Sequence, residues 1–289
     1  MTCGYLFAVL SAVIYGCMPL MSKYIYAEGV NAMTLVFLRN FLALPSLGVL
    51  AFLERKSFKI PLKNFLGISG LSLLGCSLTP VLLFSSYNFL SGGTATVFHF
   101  VYPALVVLIS IVFLKKKIQL GTIISVILCF VGIALFYNPN DSFSLKGAAL
   151  ALGSGLTFAM FVVLLTRFES LKNLGLTFSF YIAVWSSIIM FIACIATGSL
   201  TLPTTALGWG LCLLFATLVT TGAVVLFQQG AFIIGGEKTS ILSTLEPITG
   251  VVLGIVVFGE SSSITVIIGS ALVVLATLLI TLEDIKKAR

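Results

Sequence analysis

Glu246 is the one acid placed in the middle of a long apolar stretch, SILSTLEPITGVVLG, and Pro247 follows it directly. A carboxylate there can hold a proton, meet a cation or join helices by a hydrogen bond. If the stretch crosses a bilayer, the charged form costs on the order of 2.5–3.5 kcal/mol, so such a group is normally paired, hydrated or protonated. His99 is the only histidine and lies three residues before Tyr102, on the same helical face. Imidazole exchanges a proton near neutral pH, which makes His99 and Glu246 the two proton-coupling candidates, although a lone histidine also serves as a simple hydrogen-bonding residue. Arg39 carries a planar fork suited to a carboxylate or phosphate; it can equally bridge main-chain carbonyls between helices. Gln228, Gln229 and Asn88 bring amides that face a ligand or tie helices together. Tyr15, Tyr87, Tyr102, Phe158 and Trp185 are candidate aromatic walls, or packing residues. The candidate substrate-binding set is therefore Tyr15, Arg39, Tyr87, His99, Tyr102, Phe158, Trp185, Gln228 and Glu246.

Other chemistries find no support. An enzyme needs a metal motif, a nucleophile with its base, or two close acids, and one histidine with one such acid furnishes none of these. Cys3, Cys17, Cys76, Cys129, Cys194 and Cys212 show no ligand spacing and mostly fall in apolar runs. They read as small apolar residues, so neither disulfides nor a metal site is expected, and no cofactor is called for. The chain has no GxxxxGK[ST] loop, which argues against a self-contained ATP-driven pump.

The elements that must position these residues are set by composition. Hydrophobic residues make up 59% of the 289 and charged ones 9%, with a mean hydropathy of +1.19; soluble domains carry roughly 25% charged residues. A bilayer-spanning helix uses about 20 residues, and the apolar runs predict ten: 4 to 26, 31 to 53, 63 to 89, 94 to 114, 118 to 138, 145 to 166, 175 to 197, 207 to 234, 238 to 258 and 264 to 282. The third and eighth are long enough to be tilted or kinked. The N-terminal run lacks a basic flank and a cleavage site, so it reads as a retained first helix.

Basic loops stay on the cytoplasmic side. With the N-terminus inside, cytoplasmic segments hold Arg55, Lys56, Lys59, Lys63, Lys115, Lys116, Lys117, Arg167, Lys172, Lys238, Lys286, Lys287 and Arg289, which is thirteen of the sixteen basic residues. A miscount by one helix would scramble this segregation, so the expectation is N-in and C-in. The isoelectric point near 9.2 then reflects topology, and no nucleic-acid partner is implied.

The chain also repeats itself. HFVYPALVV and STLEPITGV align Pro103 with Pro247, Tyr102 with Glu246 and His99 with Ser243, a shift of 144 positions. The small-residue ladder Gly4, Ala8, Ala12 and Gly16 recurs as Gly147, Ala151, Gly155 and Ala159 at a shift of 143, as expected for close helix packing in lipid. Five helices per half is an odd number, so equivalent helices cross the membrane in opposite directions. Such inverted repeats are a plan of secondary transporters, with substrate near the midplane between the halves. Counted from the expected helix starts, Tyr102 and Glu246 each lie about 12 Å deep at roughly 1.5 Å per residue. The prolines free the carbonyls of His99 and Ser243 from helical bonding.

Ten helices in a five-plus-five repeat, a proline in the fourth and ninth, EP followed by Gly259 and Glu260, and an arginine in the second helix resemble the EamA-type branch of the drug/metabolite transporter superfamily. The first half departs from the pattern, with LKKK where the second has FGES. The resemblance implies an all-α integral membrane protein of ten transmembrane helices in two five-helix inverted-topology repeats, 1–140 and 141–289. It implies a multi-pass carrier in the cytoplasmic (inner) membrane, as a monomer or homodimer, with a small-molecule metabolite as its partner, protons as a candidate coupling ion, and the lipid bilayer around it. Among the family's substrates an amino acid or related compound is favoured, with export ahead of import. The alternatives are a proton-coupled importer of an amine or other nutrient and, from different classes, an intramembrane enzyme or a membrane scaffold.

Overall fold

The computed structural model describes residues 2–54, 58–90, 92–115, 119–135, 144–168, 171, 173–258 and 264–288. The expectations that rest on Arg55, Lys56, Lys116, Lys117, Lys172, Gly259, Glu260, Arg289 and the boundary at 140/141 fall outside these residues. Every regular element among the described residues is helical. Seven apolar rods there are long enough to cross a membrane: Thr2–Ala27, Ala32–Leu53, Leu62–Ser86, Thr94–Val112, Leu145–Arg167, Leu176–Ala196 and Ala206–Ile234. Leu120–Ala134 is shorter, the expected ninth helix is divided into Gly236–Leu242 and Leu245–Phe258, and Ile264–Ala288 continues past its expected end.

Proline accounts for most of the interruptions, because it cannot donate to the carbonyl four residues earlier and its ring crowds that turn. The first rod is α1 (Thr2–Gly16) and α2 (Met18–Ala27), broken just before Pro19; the second is α3 (Ala32–Phe41) and α4 (Leu44–Leu53), broken before Pro45. The third runs from α5 (Leu62–Leu71) through a π-helical stretch, π1 (Ser72–Leu78), into α6 (Thr79–Ser86), which carries Pro80. The fourth is α7 (Gly92–His99) and α8 (Tyr102–Val112), broken before Pro103. Freed carbonyls need other donors: that of Cys76, four before Pro80, accepts from Ser186 Oγ at 3.0 Å and lies 3.5 Å from Asn40 Nδ2. Ser72 Oγ donates to the Ile182 carbonyl at 2.7 Å, and Ser77 and Ser186 hydroxyls meet at 2.9 Å, which pins π1 to the rod Leu176–Ala196.

The remaining elements are α9 (Leu120–Ala134), α10 (Leu145–Arg167), α11 (Leu176–Ala196), α12 (Ala206–Phe215), π2 (Ala216–Val224), α13 (Val225–Ile234), α14 (Gly236–Leu242), α15 (Leu245–Phe258) and α16 (Ile264–Ala288). No proline lies in π2; instead Ser11 Oγ donates to the Ala223 carbonyl within it at 2.8 Å, and a foreign donor in the ladder is a known cause of such widening. The two π segments begin at Ser72 and Ala216, 144 positions apart. The packing repeats at the same offset. α1 packs on α13 as α10 packs on α6, while α3 pairs with α11 and α9 with α16 across the halves. Gly4 is pressed against Ile233 and Ile234, and Gly147 against their counterparts Phe89 and Leu90.

Both small-residue ladders are buried. A methyl group on Gly155 would lie 2.6 Å from the His99 carbonyl oxygen, which is main chain and cannot swing aside. Gly155→Ala is therefore expected to cost about 1–3 kcal/mol as overpacking, seen as a lower midpoint in detergent melting. Gly67→Ala, with nothing within 4 Å of the added methyl, should leave the midpoint unchanged or raise it.

Candidate functional site

Four of the helix interruptions meet around one cavity. Tyr15 and Met18 flank the break in the first rod, Thr79 and Pro80 stand where π1 passes into α6, His99 and Tyr102 flank the break in the fourth, and Ser243 and Glu246 flank that between α14 and α15; all of them line the cavity. Arg39 from α3, Phe158 from α10 and Phe227 from α13 complete the wall toward the other helices. About 50 Å³ is open to the centres of water molecules, room for roughly four waters. The site is thus small.

Arg39 is 4% exposed. Its Nε is buried without a hydrogen-bond partner, and the guanidinium meets no carbonyl or acid among the described residues. Tyr15 lines the cavity with both Arg39 and Glu246. Glu246 lines the same cavity, and among the described residues its carboxylate has no ion-pair or hydrogen-bond partner. A buried charge is normally paired. Here a guanidinium and a carboxyl group are held in one cavity without being joined, an arrangement that suits a ligand carrying both an acid and a basic group.

His99 and Tyr102 share a face, as their spacing predicts, with ring centroids 5.2 Å apart; Phe158 lies 4.8 Å from Tyr102, edge to face, and 5.8 Å from His99. Ser154 Oγ gives its single proton to the Ala151 carbonyl at 2.6 Å and lies 2.7 Å from His99 Nδ1. The hydroxyl must then accept, so His99 carries its proton on Nδ1 and leaves the Nε2 lone pair for the cavity; this tautomer is assigned from the hydrogen-bond network. Ser154 and Ser11 occupy matching ladder positions at the 143 shift, and both direct hydroxyls at the cavity-forming helices. Tyr102 is 1% exposed, and its hydroxyl points at the Ser240 carbonyl at 3.4 Å.

Three of the nine sequence-predicted residues stand away from the lining. Tyr87 packs on Phe84, ring centroids 6.0 Å apart. Trp185 lies 4.8 Å from Phe65, with Nε1 buried and unpartnered. Gln228 is fully buried: Ser179 Oγ donates to its Oε1 at 2.6 Å, and its Nε2 has no partner. Trp185 and Gln228 face neighbouring rods, where Phe65 and Ser179 meet them, and Tyr87 packs along its own rod. Conversely, Met18, Gly75, Thr79, Leu83, Phe84 and Phe227 line the cavity without having been singled out. Apolar residues look alike in sequence whether they face lipid or cavity; Thr79–Pro80, a hydroxyl beside a helix-breaker, was the available signal. The aligned position of Ser243 opposite His99 was another.

Comparison with known proteins gives a consistent picture. The model of one family, described as the EamA-like transporter family, matches residues 2–138 and again 145–282. An uncharacterized inner membrane transporter, YicL of Salmonella typhimurium, is 26% identical over 305 aligned positions covering 99% of this chain and 97% of its own. An uncharacterized transporter of Clostridium kluyveri is 23% identical over 302 positions, covering 96% of this chain and 92% of its own. A crystal structure of a protein 16% identical in sequence superposes over 100% of both chains with a TM-score of 0.78, a likeness of fold.

Proposed function

The chain belongs to the EamA-like transporter family, and from that premise we propose that it is a secondary transporter of a small zwitterionic metabolite, an amino acid or related compound, exported across the cytoplasmic membrane by alternating access. One observation carries the substrate class: Arg39 and Glu246 line one buried cavity without pairing with each other or with any described residue. A substrate carboxylate on the Arg39 fork and a substrate ammonium on Glu246 supply the missing partners. Tyr15 lines the same cavity, and Met18, Leu83, Phe84 and Phe227 offer an apolar wall for the rest of the molecule. No catalytic step is part of this reading.

The architecture proposed is ten membrane helices in two five-helix repeats of opposite orientation, N-in and C-in, with the halves dividing near 140/141. The recurring contacts at an offset of 143–144 support it, as does the segregation of basic residues. The helix interruptions around the cavity are then hinges about which the halves rock. In cysteine-free protein, a cysteine placed at Lys115 should be labelled only from the cytoplasm and one at Lys146 only from outside. The opposite pattern would overturn the orientation.

Direction follows from which group holds the coupling proton. If substrate ammonium and proton compete for Glu246, a proton entering from outside displaces substrate outward, which is export by exchange. His99 favours a second reading: a proton on its Nε2 does not compete with the ammonium and would travel with the substrate, giving import. Proteoliposomes preloaded with a mixture of the twenty amino acids and placed in acidic medium test this. The expected result is selective loss of one or a few of them, faster than without a pH gradient; retention of all would contradict the proposal.

A further inference from the structure

The repeat assigns every cavity residue a counterpart. At the offsets that relate π1 to π2 and Gly4 to Gly147, Leu83 corresponds to Phe227, Phe84 to Gln228, Tyr15 to Phe158 and Met18 to Phe161. Two of these pairs are used alike: both members of Leu83/Phe227 and of Tyr15/Phe158 line the cavity. The other two are not. Met18 and Phe84 line it, whereas Phe161 is pressed onto Gly75, its ring 2.4 Å from where a methyl on that glycine would sit, and Gln228 is wholly buried. The halves, similar in plan, are therefore in different conformations, and Met18/Phe161 and Phe84/Gln228 are two of the places where they differ.

Alternating access rocks one half against the other about a central site, and with two related halves the opposite-facing state follows if each half takes the other's conformation. We propose that Gln228 is a binding residue of that opposite-facing state, taking in its cavity the place Phe84 holds in this one and presenting its amide N–H₂ to an oxygen of the substrate; this rests on the transporter reading above. An independent observation points the same way. Gln228 Nε2 is a buried donor with no partner among the described residues, and buried donors are normally partnered. Gln228 lies in α13, toward the end of the rod Ala206–Ile234, while Met18 and Phe84 lie toward the far ends of Thr2–Ala27 and Leu62–Ser86. With the N-terminus inside, Met18 and Phe84 lie on the outer side of the midplane and Phe161 and Gln228 on the cytoplasmic side. The substitution of an amide for a phenyl ring makes the two cavities chemically unequal: the inward-facing one offers the substrate an extra hydrogen-bond donor.

The test needs no substrate, so its failure is distinct from an error in the substrate class. In a cysteine-free background, Phe84→Cys, Met18→Cys, Gln228→Cys and Phe161→Cys are each exposed to a membrane-impermeant methanethiosulfonate reagent in right-side-out and in inside-out vesicles. Met18 and Phe161 serve as second reporters should a cysteine at Phe84 or Gln228 prevent folding. The expected result is labelling of the first-half pair at least ten times faster from outside and of the second-half pair at least ten times faster from the cytoplasm. Labelling of the second-half cysteines from the same face as the first-half ones, or from neither face, would overturn the proposal.

Discussion

Arg39→Gln is expected to reduce transport by about 100-fold or more while leaving the protein folded. The wild-type guanidinium is buried and meets no partner among the described residues, so in the empty protein it is a desolvated cation without compensation. Removing it relieves that cost, and the melting midpoint of the substrate-free variant should hold or rise. With substrate bound the balance reverses: truncating one member of a buried, hydrogen-bonded charge pair typically costs 2–5 kcal/mol, and each 1.4 kcal/mol is tenfold in affinity. Arg39→Lys keeps the charge and loses the planar fork, so it should fall between the two. A structural arginine would show the opposite pattern, with Arg39→Gln melting early and residual transport scaling with the folded fraction.

Glu246→Gln carries the second large effect. Glutamine retains the shape of the side chain and an oxygen that accepts from an ammonium, but it cannot titrate. Hydrogen bonds to a charged group are about twice as strong as neutral ones, so binding should survive, weakened by about tenfold, while acceleration of transport by a proton gradient disappears. His99→Gln is the matching experiment on the other titratable group. Loss of coupling in the His99 variant with coupling intact in Glu246→Gln would move the proton to His99 and favour import. Full coupling in both would leave Glu246 as a packing residue.

The features legible in the sequence were those whose chemistry is conspicuous in an apolar background. An acid beside a proline at 246–247, its twin at Tyr102–Pro103, and the ladders beginning at Gly4 and Gly147 declared the repeat. The structure places Tyr15, Arg39, His99, Tyr102, Phe158 and Glu246 on one cavity. What periodicity could not disclose was how the rods are interrupted. π1 and π2 have no compositional mark, and π2 contains no proline to announce it. Nor could it separate cavity-facing from lipid-facing apolar residues: Leu83 and Leu78 are equivalent by type, yet Leu83 is buried at the cavity and Leu78 is 38% exposed. Gln228 was legible as a polar residue in the membrane interior, but its orientation depends on which of two conformations its half adopts, and that is a property of the folded halves together.

Thermal stabilisation of the purified protein by matched ligand triplets tests the central claim most directly. Each triplet consists of an amino acid, the amine that lacks its carboxylate and the acid that lacks its amino group. A ligand at about 100 times its Kd adds roughly 2.7 kcal/mol, a shift of about 5 °C or more for a chain of this size. The account predicts that at least one amino acid produces such a shift, that its amine and its deaminated acid at the same concentration do not, and that Arg39→Gln abolishes the response. Stabilisation by the amine or the acid as strong as that by the parent amino acid, or an undiminished response in Arg39→Gln, would contradict it.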